Sequence, residues 1–230
     1  MQVDLTLLLL NAAAIAVIHT LVGPDHYLPF IVLSKARGWS RAKTAWITLA
    51  CGLAHVGSSI VIGLIGYALG ASLKHLNLME EIRGEIAAWL LIGFGLIYAA
   101  WGLRRARRTG PDGHIHAHGG FIHAADHVHD PKTGETINLT PWILFIVFAF
   151  GPCEPLIPLF IYPAATSGWV SAFAVAAVFT AATLAVMLSV VLASSFGLER
   201  IPLRTWGRYS HALAGASIAI TGGAIQVFGL

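Results

Sequence analysis

Charged side chains are scarce in this chain: Asp, Glu, Lys and Arg make up 11% of its 230 residues, against about a quarter in soluble domains. That shortage excludes an ordinary water-soluble globule. With 57% of residues in the hydrophobic set and a mean hydropathy of +0.75, the chain reads as an integral membrane protein. Cysteine is nearly absent as well. Cys51 and Cys153 are the two cysteines, both inside apolar runs, so the disulfide framework of a small secreted fold is excluded. No Gly-x4-Gly-Lys-Ser/Thr loop occurs, so the chain is not expected to hydrolyse ATP and is read as a carrier, not an enzyme. The net charge of +3 is spread over connecting segments and speaks for no nucleic-acid partner. The first residues lack a basic stretch and an A-x-A site before His19, so they are expected to form a first span, not a cleaved signal.

What is present is apolar length. Runs of the size that crosses a bilayer fall at 5–33, 45–72, 86–103, 141–163, 169–196 and 209–229. The expected fold is therefore all-α, a polytopic protein of six transmembrane helices. Basic residues cluster after the first span (Lys35, Arg37, Arg41, Lys43), the third (Arg104, Arg105, Arg107, Arg108, Lys132) and the fifth (Arg200, Arg204, Arg208), while the other connections offer Lys74 and Arg83. By the positive-inside rule those three basic segments face the cytoplasm and both termini lie outside, in the cytoplasmic (inner) membrane. Trp39, Trp46, Trp142, Trp169 and Trp206 near span ends suit interfacial belts.

The chain divides into a first three-helix repeat at 1–103, a His-rich cytoplasmic loop at 104–140 and a second three-helix repeat at 141–230. Each repeat opens with a helix-breaking Gly-Pro: Gly23-Pro24-Asp25-His26 in the first and Gly151-Pro152-Cys153-Glu154-Pro155 in the second. An odd number of spans per half makes the two opening helices cross in opposite directions, an inverted repeat, and matched broken helices point to a binding site near the midplane.

Ionisable residues at that depth are functional candidates. His19, Asp25 and His26 surround the first break. On an unbroken helix the two histidines, seven residues apart, would stand ~10.5 Å apart along the axis, so the break itself is what could unite them. In the second span Cys51, His55, Ser58 and Ser59 share one face; the serines are expected to make interhelical hydrogen bonds, and His55 to adjoin the first-span site. Gly66 and Gly70 form a small-xxx-small pair. In the fourth span Pro152, Pro155 and Pro158 should free the carbonyls of Phe148, Gly151 and Glu154, with Glu154 and Cys153 as further candidate metal ligands. Glu154 read as a protonated structural group stands level with that role. Thr180, Thr183, Ser210, Ser217 and Thr221 are weaker candidates for lining a pore. The loop histidines His114, His116, His118, His123, His127 and His129 lie on a polar tract expected to be mobile and to collect transition metals.

His19, Asp25 and His26 resemble the His-x4-Asp-His signature of nickel/cobalt permeases, with five residues instead of four between His19 and Asp25. The six-span plan with a His-rich loop is similar to the UreH-like, NicO-type branch of those transporters. That resemblance implies transport of Ni2+ or Co2+ as substrate, no cofactor, and His19, Asp25, His26 and His55 as ligands; the bilayer and a second copy of the chain are the other partners to consider. Binding by neutral histidine should weaken as pH falls. The Gly-Pro-Cys-Glu-Pro segment also resembles membrane thiol-disulfide electron carriers of the cytochrome c biogenesis type, which is the alternative reading. Those carriers place a cysteine at both breaks, and Asp25 stands at the first one here.

Overall fold

The computed structural model describes residues 4–108, 115–118, 121–124, 139–199 and 207–228. Among these residues eight α-helices run in the order α1 (Leu5–Val22), α2 (Leu28–Arg37), α3 (Arg41–Ala68), α4 (Leu73–Arg108), α5 (Leu139–Phe150), α6 (Leu156–Thr166), α7 (Trp169–Glu199) and α8 (Ser210–Phe228), with 3-10 turns at Pro24–His26 and Gly207–Tyr209. Among the described residues, five segments are long and apolar enough to cross a membrane: Leu5–Val22, Arg41–Ala68, Leu73–Arg107, Trp169–Gly197 and Gly207–Phe228. The chain is a multi-pass membrane protein. The run expected as one fourth span is split into the shorter α5 and α6.

One expectation is corrected. The third span begins at Leu73 and not near residue 86, because the charged stretch Glu80 to Glu85 continues the helix. The His-rich segment contains a two-stranded antiparallel hairpin, β1 (Ile115–His118) with β2 (Phe121–Ala124), in a register that pairs His116 with His123 and His118 with Phe121. His114, His127 and His129 lie outside the described residues.

Local chemistry sets the helix ends. Asp4 caps α1 by accepting the Thr6 N–H at 2.9 Å, and Ser40 caps α3 by accepting the Lys43 N–H at 3.3 Å, each satisfying a donor that the first turn leaves over. Outward-facing Leu7, Ile18, Trp46, Ile97, Trp142, Ile220 and Val227 are exposed, as lipid-facing side chains must be.

Helices meet where side chains vanish, since lipid supplies no hydrophobic push between them. α4 and α8 run antiparallel and meet backbone to backbone. A Cβ on Gly95 would collide with the backbone of Ala219 and Gly215, one on Gly102 with Ala212, one on Gly215 with Ala99, and one on Gly222 with Ala88. The pair singled out by spacing behaves differently. Gly66 packs against the Leu76 side chain, and Gly70 closes the α3–α4 turn at φ +68° with open space around it.

Candidate functional site

Pro24 has no N–H to give Thr20, so α1 stops at Val22, where the Gly23 N–H closes onto the His19 carbonyl at 3.0 Å. The chain then makes one 3-10 turn and restarts at Leu28, with Pro29 in the first turn of α2, a position where the missing donor costs nothing. The Tyr27 hydroxyl donates to the Leu21 carbonyl at 3.2 Å, covering an end-of-helix acceptor.

This break folds His26 back onto His19. Their ring centroids lie 4.8 Å apart, against the ~10.5 Å of axial rise that an unbroken helix would impose. His55 joins from α3, its ring 5.1 Å from that of His26. One ring nitrogen from each of the three histidines lies within 4.8 Å of the others. His26 Nδ1 has the Gly23 carbonyl oxygen at 3.1 Å and Asp25 Oδ1 at 3.2 Å. Both neighbours only accept, so Nδ1 carries a proton, and in the neutral imidazole Nε2 then keeps the lone pair. The Nε2 atoms of His19, His26 and His55 are buried without a hydrogen-bond partner among the described residues.

The glycines of both breaks abut these rings. A Cβ on Gly23 would come within 2.5 Å of His26 Nδ1, and one on Gly151 within 3.1 Å of His55 Nδ1. Glycine is needed at both places for close approach. A cavity of about 460 Å3 lies between the breaks, lined by His19, Asp25, His26 and His55 and by Gly151, Pro152 and Glu154.

The second break is held by an ion pair. The helix is interrupted between Phe150 and Leu156, where the Leu156 N–H bonds the Cys153 carbonyl at 2.9 Å to restart it. Glu80 of α4 is wholly buried and pairs with Arg83. Its carboxylate accepts the Ser59 hydroxyl at 2.9 Å and the Cys153 N–H at 3.0 Å. Arg83 donates to Ser58 Oγ at 2.7 Å and to the carbonyls of Ala149 and Gly151 at 3.1 and 3.2 Å. The Gly151 carbonyl freed by Pro155 is thus satisfied by the chain's own guanidinium. The Phe148 carbonyl freed by Pro152 receives the Gly151 N–H at 3.1 Å.

Of the sequence-derived candidates, His19, Asp25, His26 and His55 come together. Cys153 and Glu154 stand apart from them: Cys153 is buried beside Glu80 and Ser59, and Glu154 is an exposed residue of the cavity lining. Ser58 and Ser59 do bond between helices. Thr180 and Thr221 donate to carbonyls of their own helices, Ala176 and Ser217, and do not line the cavity. Glu80 and Arg83 are not evident as site residues in the sequence, where their charge marks the end of an apolar run. Their i, i+3 spacing was the available signal.

Residues 29–228 match the model of a family described as the cytochrome C biogenesis protein transmembrane region. The chain belongs to that family. The match covers both halves, from α2 through α8, and so corrects the expectation of a nickel/cobalt permease transporting Ni2+ or Co2+. That expectation rested on three residues around one break, spaced by five positions where the permease signature has four. A short His/Asp motif in a broken helix is shared chemistry, whereas a pattern over 29–228 is shared architecture. Comparison with curated proteins and with solved structures returned no match.

Proposed function

We propose that the chain carries reducing equivalents through the membrane in cytochrome c biogenesis, with Cys153 as the exchanging thiol and Cys51 as its partner. The observation that carries this reading is the place of Cys153 within the family architecture: it sits in the interrupted segment between α5 and α6, its N–H held by Ser59 and Glu80. Each half of the chain contributes one cysteine, and both are free and buried.

The exchange balances as follows. A partner dithiol on one side reduces a Cys51–Cys153 disulfide, giving two thiols here and a partner disulfide; two electrons and two protons move. The thiols then return to the disulfide by reducing a partner disulfide on the other side. The described arrangement corresponds to the reduced form. Cys51 lies eight residues before Ser59 on α3, about 12 Å of helix, and Ser59 is the α3 residue whose side chain bonds the Cys153 N–H. A disulfide needs a Cα separation below about 7 Å, so oxidation requires the second break to shift along α3. The broken segment, joined to α3 by side-chain hydrogen bonds, is the element able to do so.

The finer topology belongs to the same proposal: six crossings with α5 and α6 counted as one, two inverted three-helix halves, both termini outside an inner membrane, and the 104–140 segment in the cytoplasm. The distribution of basic residues and the matched Gly-Pro breaks support it.

Cys153→Ser and Cys51→Ser should each lower the yield of mature cytochrome c at least tenfold in cells relying on this chain. Wild-type membranes quenched in acid, denatured and then alkylated should yield both cysteines in a reduced and an oxidised form. Normal cytochrome c yield from both variants at normal membrane levels would overturn the proposal.

A further inference from the structure

We infer that His19, His26 and His55 form a binding site for a divalent transition-metal ion, held as a resident group where the two breaks meet. This goes beyond the thiol-exchange reading and is independent of it, because neither cysteine lies at the cluster.

Three observations converge. First, the three Nε2 atoms are buried and unpartnered among the described residues, and His26 and His55 are each only 3% exposed. A buried ring nitrogen without a partner costs free energy unless something fills the place, and the three rings that carry these atoms each bring a ligand nitrogen within 4.8 Å of the others, close enough to share one ion. Second, His26 is prepared as a metal ligand. The Gly23 carbonyl and Asp25 Oδ1 at its Nδ1 fix the tautomer that directs Nε2 to an ion, the outer-shell arrangement that metal-bound histidines use. Third, the cavity beside the cluster carries carboxylates: Glu81, Glu85 and Glu154 contribute to its lining and all are exposed. Acidic groups around a water-reachable space raise the local concentration of cations, and the cavity leaves room for a fourth, non-protein ligand.

The donor set decides the class of ion. Three imidazoles suit zinc, copper(II), nickel or iron, while magnesium and calcium require oxygen. Zinc–nitrogen bonds of about 2.0–2.1 Å in a tetrahedron bring ligand nitrogens to ~3.3 Å from one another. The present nitrogens, all within 4.8 Å, reach that by small ring movements. Glycine at position 23 leaves His26 the space to make its movement.

The test uses the full-length protein in detergent, with the six loop histidines changed to asparagine so that they do not compete for metal. After chelator treatment it is titrated with Co2+, read by visible absorption, with Zn2+ and Mg2+ as competitors. One ion per chain is expected, displaced by Zn2+ and not by Mg2+. His26→Ala and His55→Ala should each weaken binding about 100-fold or more, and Gly23→Ala, which crowds His26 without removing a ligand, by ~10–100-fold. Absence of a bound ion in the parent protein would overturn the inference. So would equal binding by a His26→Ala/His55→Ala variant that elutes as the parent does, since the ion would then sit elsewhere.

Discussion

Glu80→Ala is expected to be among the most damaging single substitutions in the chain, costing about 3–5 kcal/mol of stability. Glu80 is fully buried and serves three donors at once: Ser59 Oγ, the Cys153 N–H and the Arg83 guanidinium. Taking away the carboxylate leaves Arg83, a side chain only 13% exposed, as an uncompensated charge among apolar helices. Neutral acceptors remain to it at Ser58, Ala149 and Gly151, but these do not cancel a charge in low dielectric. Glu80→Gln keeps an acceptor for Ser59 and Cys153 and should lose less. For a chain of this size the alanine variant should melt roughly 10 °C lower, measured by circular dichroism in detergent. Cys153 should also become open to alkylation, because the contacts that pin its backbone go with Glu80. A melting point within about 2 °C of the parent would show that the pair contributes little.

The second large effect is expected at the α4–α8 contact. Gly215→Val places a branched side chain against the backbone of Ala99 and Gly95, where no rotamer change can relieve it. Overpacking against yielding side chains costs about 1–3 kcal/mol; against a rigid helix backbone the expected loss is about 3 kcal/mol or more, with the two helices forced apart. Gly93 and Gly223 lie on the same two helices with nothing within 4 Å of an added Cβ. Alanine there should be neutral or stabilising by up to about 1 kcal/mol, because it removes glycine's excess freedom from a helix interior. Comparing thermal unfolding of Gly215→Val, Gly93→Ala and Gly223→Ala separates close helix packing from a general intolerance of glycine replacement. Equal behaviour of the three would contradict the interface described.

The difference between these glycines was not legible from spacing. Gly66 and Gly70 satisfy a small-xxx-small pattern, yet one faces a leucine and the other closes a turn. Gly95 and Gly102, with Gly215 and Gly222, are each seven residues apart. They acquire their role only because α4 and α8 are brought side by side. Glu80 and Arg83 show the same limit from the side of charge. An average over a hydrophobic window counts them as polar and ends the span, while in the folded chain they neutralise each other and bond a segment some seventy residues away, Cys153 and Gly151.

The resemblance to metal permeases failed for a related reason. A His, an Asp and a His at a proline break are what any buried polar centre in a broken helix would use, so three residues carry little about ancestry. The family pattern over 29–228 is decided by many positions together. Cys153 is legible in the sequence as a candidate, whereas its pairing with Ser59 and Glu80 is not, since they come from α3 and α4.

What the amino-acid order determined by itself was local. The shortage of charge made this a membrane chain; Pro24, Pro152 and Pro155 dictated two interruptions because a proline cannot donate its backbone hydrogen bond wherever it sits; and helical spacing put Cys51, His55 and Ser59 on one face of α3. Tertiary structure alone decided which groups meet: His55 with the folded-back His26, Arg83 with the carbonyls of the second break, Gly215 with the backbone of α4. Those pairings depend on distances between helices, and the free energy of burying a polar group or closing two backbones together is set by the partner found there, which no stretch of sequence specifies on its own.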